Sequence, residues 1–355
     1  MTWTRFSGTH NMIPVVSLLP QLGPSTRTRP IRDSQGRTVP GSVARLEPLT
    51  LGGVQQWLLV RGRRAENPIL LKLHGGPGQA EMATAKLNGL LENDFLVVEW
   101  DQRGSGKSGA AIQPATAMNV TQLVADTIEL TEHLTQRFGR RKLIVVGHSW
   151  GSVLGLMAVQ RRPDLFSAFV STGLIANFAE GQQVAYRFLL AESRRRGNTK
   201  AFTELNSLGS PPYAGTEGIA KWGQCARWLS EFGALWHSSE KFDRVGWMLA
   251  SIEYSWPEKL RFNRAAERSF DLLYADLLSV NLSETVPRVE VPVFFAEGRY
   301  DRMAPVEVAE RYFTSLIASR KELVWFENSA HFPQWEERAR FHEFLLTTVL
   351  RATAV

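Results

Sequence analysis

One cysteine, Cys225, stands alone in 355 residues. Its isolation excludes an intrachain disulfide and a thiolate metal cluster, and leaves a buried or half-buried free thiol as the expectation. The seven histidines contain no H-x-x-x-H or H-E-x-x-H spacing, so a metal site is not indicated; no cofactor is expected. No membrane span is expected either. Residues 12–22 are apolar, but they are too few to cross a bilayer and Pro14 and Pro20 interrupt them. Only Arg5 precedes them as a positive charge and no small-x-small cleavage site follows, so they read as an arm packed on the surface. The expected location is cytoplasmic, with secretion left open.

The chain also has no dense block of one charge. Lys and Arg number 41 against 35 Asp and Glu, a formal charge of +6, but the basic residues fall in short groups at 61–64, 140–142 and 194–196. Each group sits beside a predicted turn or helix end. That is a solvated surface rather than a groove tracking phosphates, and no nucleic-acid partner is expected. What the chain does have is 44% hydrophobic and 21% charged residues, the balance of a globular protein. The length suits one large α/β unit with an insertion, or two units of ordinary size.

Residues 1–42 read as an arm and an extended lead-in, the part from 24 to 42 being rich in Pro, Arg, Ser, Thr and Gly. Residues 43–51 and 54–60 alternate around Gly52-Gly53, the signature of an antiparallel hairpin. Apolar strand-like runs follow at 69–73, 95–100, 143–146, 168–171, 291–296 and 322–326. Helical periodicity is predicted over 79–91, 119–138, 153–160, 305–318 and 335–350, with Gly139 ending the second of these. Strands alternating with helices predict a mostly parallel central sheet covered on both faces, whose ligands bind at the carboxyl ends of the strands. From about 174 to 286 the alternation stops. That stretch has no clear strand and holds five of the eleven tryptophans, so it reads as an inserted helical cap, dividing the core into 43–173 and 287–355.

The sharpest signal is Gly147-His148-Ser149-Trp150-Gly151, set between a β-branched run and a helix-forming run. A strand, a tight turn and a helix place the serine at a strained position where substrate can reach it, and the flanking glycines let backbones pass closely. A serine hydroxyl needs a base and an acid to orient that base. Asp301 follows the penultimate strand and His331 follows the last, so Ser149, Asp301 and His331 lie on three strand-end loops in the order nucleophile, acid, base. Glu297 is the alternative acid, and Asp301 could instead cap the helix beginning near Pro305. His237 falls in the cap and His342 in the last helix, so neither competes as the base. The amides of Gly76 and Trp150 are the expected oxyanion donors, Pro77 having none to give. His74 reads as a structural histidine of the same loop.

Gly106-Lys107-Ser108 imitates the end of a phosphate-binding loop. That motif requires glycine where Asp101 stands and a helix directly afterwards, so the segment reads as a structural turn under the site.

Taken together, HGGPG at 74–78, DQRGSGKS at 101–108, GHSWGS at 147–152, GRYD at 298–301 and a histidine after the last strand resemble the proline iminopeptidases. These are serine peptidases of the α/β-hydrolase fold that remove an N-terminal proline. The resemblance implies an acyl-enzyme on Ser149, with Asp301 and His331 as partners and a small molecule or short peptide as substrate. It also implies carboxylates in the cap that hold a free amino group, for which Glu204, Glu231 and Glu253 are candidates, with Trp228 beside them. The aromatic residues of the cap leave an esterase, lactone or amide hydrolase of a hydrophobic metabolite as an alternative, and an acyltransferase using the same serine as another.

Overall fold

The computed structural model describes residues 25–112, 118–240 and 242–353; the arm expected at 12–22 lies outside them. Eight strands form one sheet in the order β1-β2-β4-β3-β5-β6-β7-β8. They are β1 (Val43–Leu51), β2 (Val54–Gly62), β3 (Ile69–Leu73), β4 (Leu96–Asp101), β5 (Leu143–His148), β6 (Phe166–Thr172), β7 (Val293–Gly298) and β8 (Lys321–Phe326). The hairpin of β1 and β2 turns through Gly52 and Gly53, both at positive φ, as a two-residue loop requires. β2 also meets β4 antiparallel, and every pairing from β4 to β8 is parallel.

Sequence pattern explains which strands go where. β1 mixes exposed and half-buried positions with buried Leu46 and Leu51, whereas β3, β4 and β5 are buried at every residue, as apolar runs in a sheet covered on both sides must be. Adjacent residues feed opposite faces. Leu71, Val145, Phe169 and Phe295 pack into one core, and Leu70, Ile144, Val170 and Phe294 join Phe341, Phe344 and Leu345 in the other.

Thirteen α-helices accompany the sheet among the described residues. α1 (Leu91–Asp94), α2 (Val120–Arg137), α3 (Trp150–Arg161), α10 (Val306–Ser315), α11 (Pro333–Glu336), α12 (Arg338–Phe344) and α13 (Arg351–Thr353) belong with the strands. Six lie between β6 and β7: α4 (Phe178–Arg195), α5 (Thr199–Leu208), α6 (Gly215–Glu231), α7 (Arg244–Ala250), α8 (Trp256–Leu278) and α9 (Leu282–Thr285). These are the inserted cap, and we propose 174–286 as its extent, with 43–173 and 287–355 as the core. Cys225 is buried within it on α6. Among the described residues no helix is long and apolar enough to cross a membrane.

Two helical expectations need correction. Residues 79–91 form a 3-10 turn (Met82–Asn88) followed by α1 instead of one helix. Here Asn88 turns inward to Lys72 and Glu99, and these buried polar bonds override helical periodicity. The helix expected over 335–350 breaks at Glu337, whose φ of −123° and ψ of 55° are not helical. Its carboxylate accepts the Asn328 amide and the Ser329 hydroxyl, tying the helix to the loop that carries His331.

The 101–108 turn binds cap to core. Lys107 pairs with Glu258 of α8 at 2.8 Å, Ser269 donates to the Gly104 carbonyl at 2.8 Å, and Tyr254 donates to Asp101 at 2.8 Å. Arg103 is 1% exposed and grips Asp126 of α2 with Nε and Nη2 at 2.9 and 3.0 Å, its Nη2 also meeting the Leu51 and Gly52 carbonyls. An Arg103→Met variant strands the Asp126 carboxylate in the core. It should lose about 3 to 5 kcal/mol of stability, read from the denaturant midpoint; a loss below about 1 kcal/mol, the scale of an exposed pair, would show that the pair does not carry this junction.

Candidate active site

β5 delivers Ser149. Its φ of 51° and ψ of −118° make it the one non-glycine residue at positive φ among those described, a strained placement of the kind concentrated at functional sites. The turn closes only with glycine beside it: a Cβ on Gly147 would lie 2.5 Å from the Gly151 carbonyl oxygen, and one on Gly151 would run into the carbonyl oxygen of Leu73. The Ser149 amide is held by the Thr172 carbonyl at 2.9 Å.

β7 and β8 deliver the other two residues. His331 Nδ1 meets Asp301 Oδ2 at 2.7 Å, both groups being buried. The second oxygen, Oδ1, accepts the amides of Met303 and Ala304 at 2.8 and 2.9 Å. Asp301 therefore both caps its turn and holds the imidazole. Glu297 does not touch the imidazole: it accepts from the Ser171 hydroxyl and the Leu174 amide. Burial first, and then the charge of Asp301, push its carboxyl up to about 8.

The ring of His331 is seated against Gly173, where a Cβ would come within 2.6 Å of Nδ1, and its backbone amide is held by the Leu235 carbonyl of the cap at 3.1 Å. His148 lies 4.7 Å away, ring to ring; burial and then His331 hold its pKa well below the usual value, so it is a neutral neighbour.

Ser149 and His331 line one cavity of about 480 Å³ between sheet and cap, together with Gly76. No hydrogen bond closes between the side chains of Ser149 and His331, a bond that often tightens only with substrate. Trp150 supplies the first amide of α3, which has no carbonyl to meet inside the helix. The Gly76 amide has no hydrogen-bond partner among the described residues. His74 braces this loop against the 101–108 turn: its Nε2 lies 2.9 Å from the Ser105 hydroxyl and accepts the Gln102 amide, and burial lowers its pKa to about 4.

The cap candidates do not reach this cavity. Glu204 and Glu231 are both taken by Arg227, and Glu204 also accepts the Trp228 indole N–H. Trp228 itself is buried in the cap core. Glu253 is buried elsewhere, accepting the hydroxyls of Thr28 and Ser251. The carboxyls that do line the cavity are Glu81, Glu267 and Asp271, with the guanidinium of Arg244. Glu267 and Asp271 are one turn apart on α8, beyond Asn263, and that i, i+4, i+8 stripe was readable from the sequence. Glu81 and Arg244 had no such signal. His237 stacks on Tyr300 and His342 meets Asp94, neither in the cavity. Among the described residues no group of three or more His, Cys, Asp or Glu is disposed to hold a metal ion.

The chain has relatives among known proteins. A family model for the alpha/beta hydrolase fold matches residues 68–214. A probable aminopeptidase of Bacillus subtilis is 32% identical over 303 residues, covering 84% of this chain and 94% of the relative. A proline iminopeptidase of Saccharolobus solfataricus is 26% identical over 285 residues, covering 79% and 84%. The solved proline iminopeptidase-related protein of Thermus thermophilus shares the fold at a TM-score of 0.57 and 19% identity, covering 88% of this chain and 98% of that one. A hydrolase core built around a strained serine at the end of β5, matched along nearly all of an aminopeptidase relative, places this chain in the proline iminopeptidase-like family of α/β-hydrolases.

Proposed function

We propose that the protein is a serine hydrolase working through an acyl-enzyme, and that it releases the N-terminal residue of short peptides. The observation that carries the reading is the 2.7 Å bond between His331 Nδ1 and Asp301 Oδ2. It holds the Nδ1 proton, which leaves Nε2 as the lone-pair nitrogen in a cavity that Ser149 also lines.

In this mechanism Ser149 Oγ attacks the scissile carbonyl carbon while its proton passes to His331 Nε2. The carbonyl oxygen becomes an oxyanion between the amides of Trp150 and Gly76, each contributing about 3 kcal/mol of transition-state stabilisation. The tetrahedral species collapses, the C–N bond breaks, and the leaving amine takes the proton from Nε2. Water, deprotonated by the same nitrogen, then attacks the ester, and Ser149 regains its proton as the acid departs. A free amino terminus finds complementary charge in Glu267 and Asp271, which line the cavity from α8.

A second reading, hydrolysis of an apolar ester or amide, is favoured by the aromatic wall. Phe178, Trp222, Phe242, Phe270, Phe332 and Trp335 all line the cavity, and Phe332 stacks on Trp335 at 4.9 Å.

Steady-state hydrolysis of a proline aryl-amide, its N-acetylated twin and a short-chain aryl ester separates the two. The peptidase reading expects the free-amine substrate to be cut at least about tenfold faster than the blocked one, since an unmatched buried charge costs more than about 1.4 kcal/mol. Cleavage of the ester with neither amide touched would remove the peptidase assignment and leave the esterase.

A further inference from the structure

Three buried cations among the described residues are paired. Lys72 meets Glu99, Arg103 meets Asp126 and Lys107 meets Glu258. Arg244 departs from that pattern. It opens α7, its side chain lines the cavity that holds Ser149, and its Nη2 is enclosed without a hydrogen-bond partner. Among the described residues its guanidinium forms no ion pair within 4 Å, and its Cζ lies 5.9 Å from the centre of the Phe262 ring. An enclosed guanidinium nitrogen with no acceptor is costly unless something arrives to accept from it.

The groups around it do not fill that role. Glu81 lines the same cavity, but its carboxylate faces Lys72 at 3.7 Å. Burial, then the neighbouring Glu99, raise its pKa to about 7 against the pull of Lys72 and Arg244, so near neutrality it is only partly ionised. Tyr254 is spent on Asp101. With Lys72 balanced by Glu99, this wall of the cavity keeps an excess of positive charge at Arg244.

Resting on the assignment of this cavity as the reaction site, we propose that Arg244 is the anchor for a carboxylate of the substrate, so that the preferred substrates are small acids rather than their neutral counterparts. The planar guanidinium presents paired N–H groups to the two oxygens of a carboxylate, a match an ammonium lacks. A cavity of about 480 Å³ suits a molecule of dipeptide size. The carboxylate has two possible positions: the free C-terminus of the residue that leaves, or a second acid on the acyl part that Ser149 retains.

The test uses the full chain. A neutral fluorophosphonate labels Ser149, and protection of that labelling is measured with 3-phenylpropionate against 3-phenylpropionamide, in the unaltered protein and in Arg244→Met and Arg244→Lys. The acid should protect at least about tenfold more tightly than the amide, the ratio falling to within about twofold in Arg244→Met and to an intermediate value in Arg244→Lys. Turnover of prolyl-alanine against prolyl-alaninamide, and of a glutaryl against a butanoyl aryl-amide, then locates the carboxylate on the leaving or the acyl side. Equal protection by acid and amide, a ratio that survives in Arg244→Met, or equal turnover within both pairs would overturn the proposal. Absence of labelling at Ser149 would instead sink the serine mechanism, so the two failures are told apart; labelling of each variant by the probe alone shows that it is folded.

Discussion

Ser149→Ala is expected to lower kcat by about 10⁴ to 10⁶-fold while leaving the fold in place. Under the proposed mechanism, removing Oγ deletes the atom that forms the acyl-enzyme, so what survives is whatever rate the oxyanion donors and binding alone provide. Stability should change little or rise slightly. Alanine has no more tolerance for φ of 51° than serine, but it carries no hydroxyl to desolvate at a position only 7% exposed. Steady-state hydrolysis of the aryl ester, the more reactive probe, measures the effect, with a melting curve as the control for folding. A loss of less than about tenfold would place the nucleophile elsewhere, because no other group can replace a covalent nucleophile at so small a cost.

The second large effect belongs to Asp301→Asn, expected to cost about 10⁴-fold in kcat. The geometry fixes which way the new amide points. Oδ1 accepts two backbone amides, from Met303 and Ala304, so the asparagine oxygen must stay there and its NH₂ must face His331. Nδ1 is then obliged to accept, the ring proton moves to Nε2, and the imidazole can no longer take a proton from Ser149. Glu297→Gln is the matched control. Its carboxyl is raised to about 8 and makes no contact with the imidazole, so an amide is a close copy of the neutral acid and kcat should stay within about threefold, the scale expected when no reacting group is touched. If Glu297→Gln loses as much as Asp301→Asn, the two acids act as one unit and the role of orienter is shared.

Parts of the site were legible because they rest on local chemistry. The glycines of 147 and 151 announce close backbone passage, and the structure locates the obstacles as Gly151, Ser152 and Leu73. Asp301 was legible only through order along the chain, and the choice against Glu297 needed coordinates: both are buried at the end of β7, and only one reaches Nδ1. The cap carboxylates Glu204, Glu231 and Glu253 were candidates only through the family resemblance, which says that such groups exist but not which neighbour each one meets; none of the three lines the cavity. Arg227, one turn before Glu231 on α6, pairs with both Glu231 and Glu204 of α5.

By itself the sequence determined the alternation of strands and helices and the strained turn at Ser149, and it supplied the proposed order of nucleophile, acid and base, since each depends on contacts within a few residues or on chain order alone. Tertiary structure decided what surrounds the serine. Glu81 comes from the loop before a 3-10 turn, Arg244 from the start of α7, and Glu267 and Asp271 from the middle of α8; they share a cavity only because the cap folds back over the carboxyl ends of the strands. Charge complementarity between residues so far apart in sequence is a property of packing, and under the proposed function packing is where the choice of substrate lies.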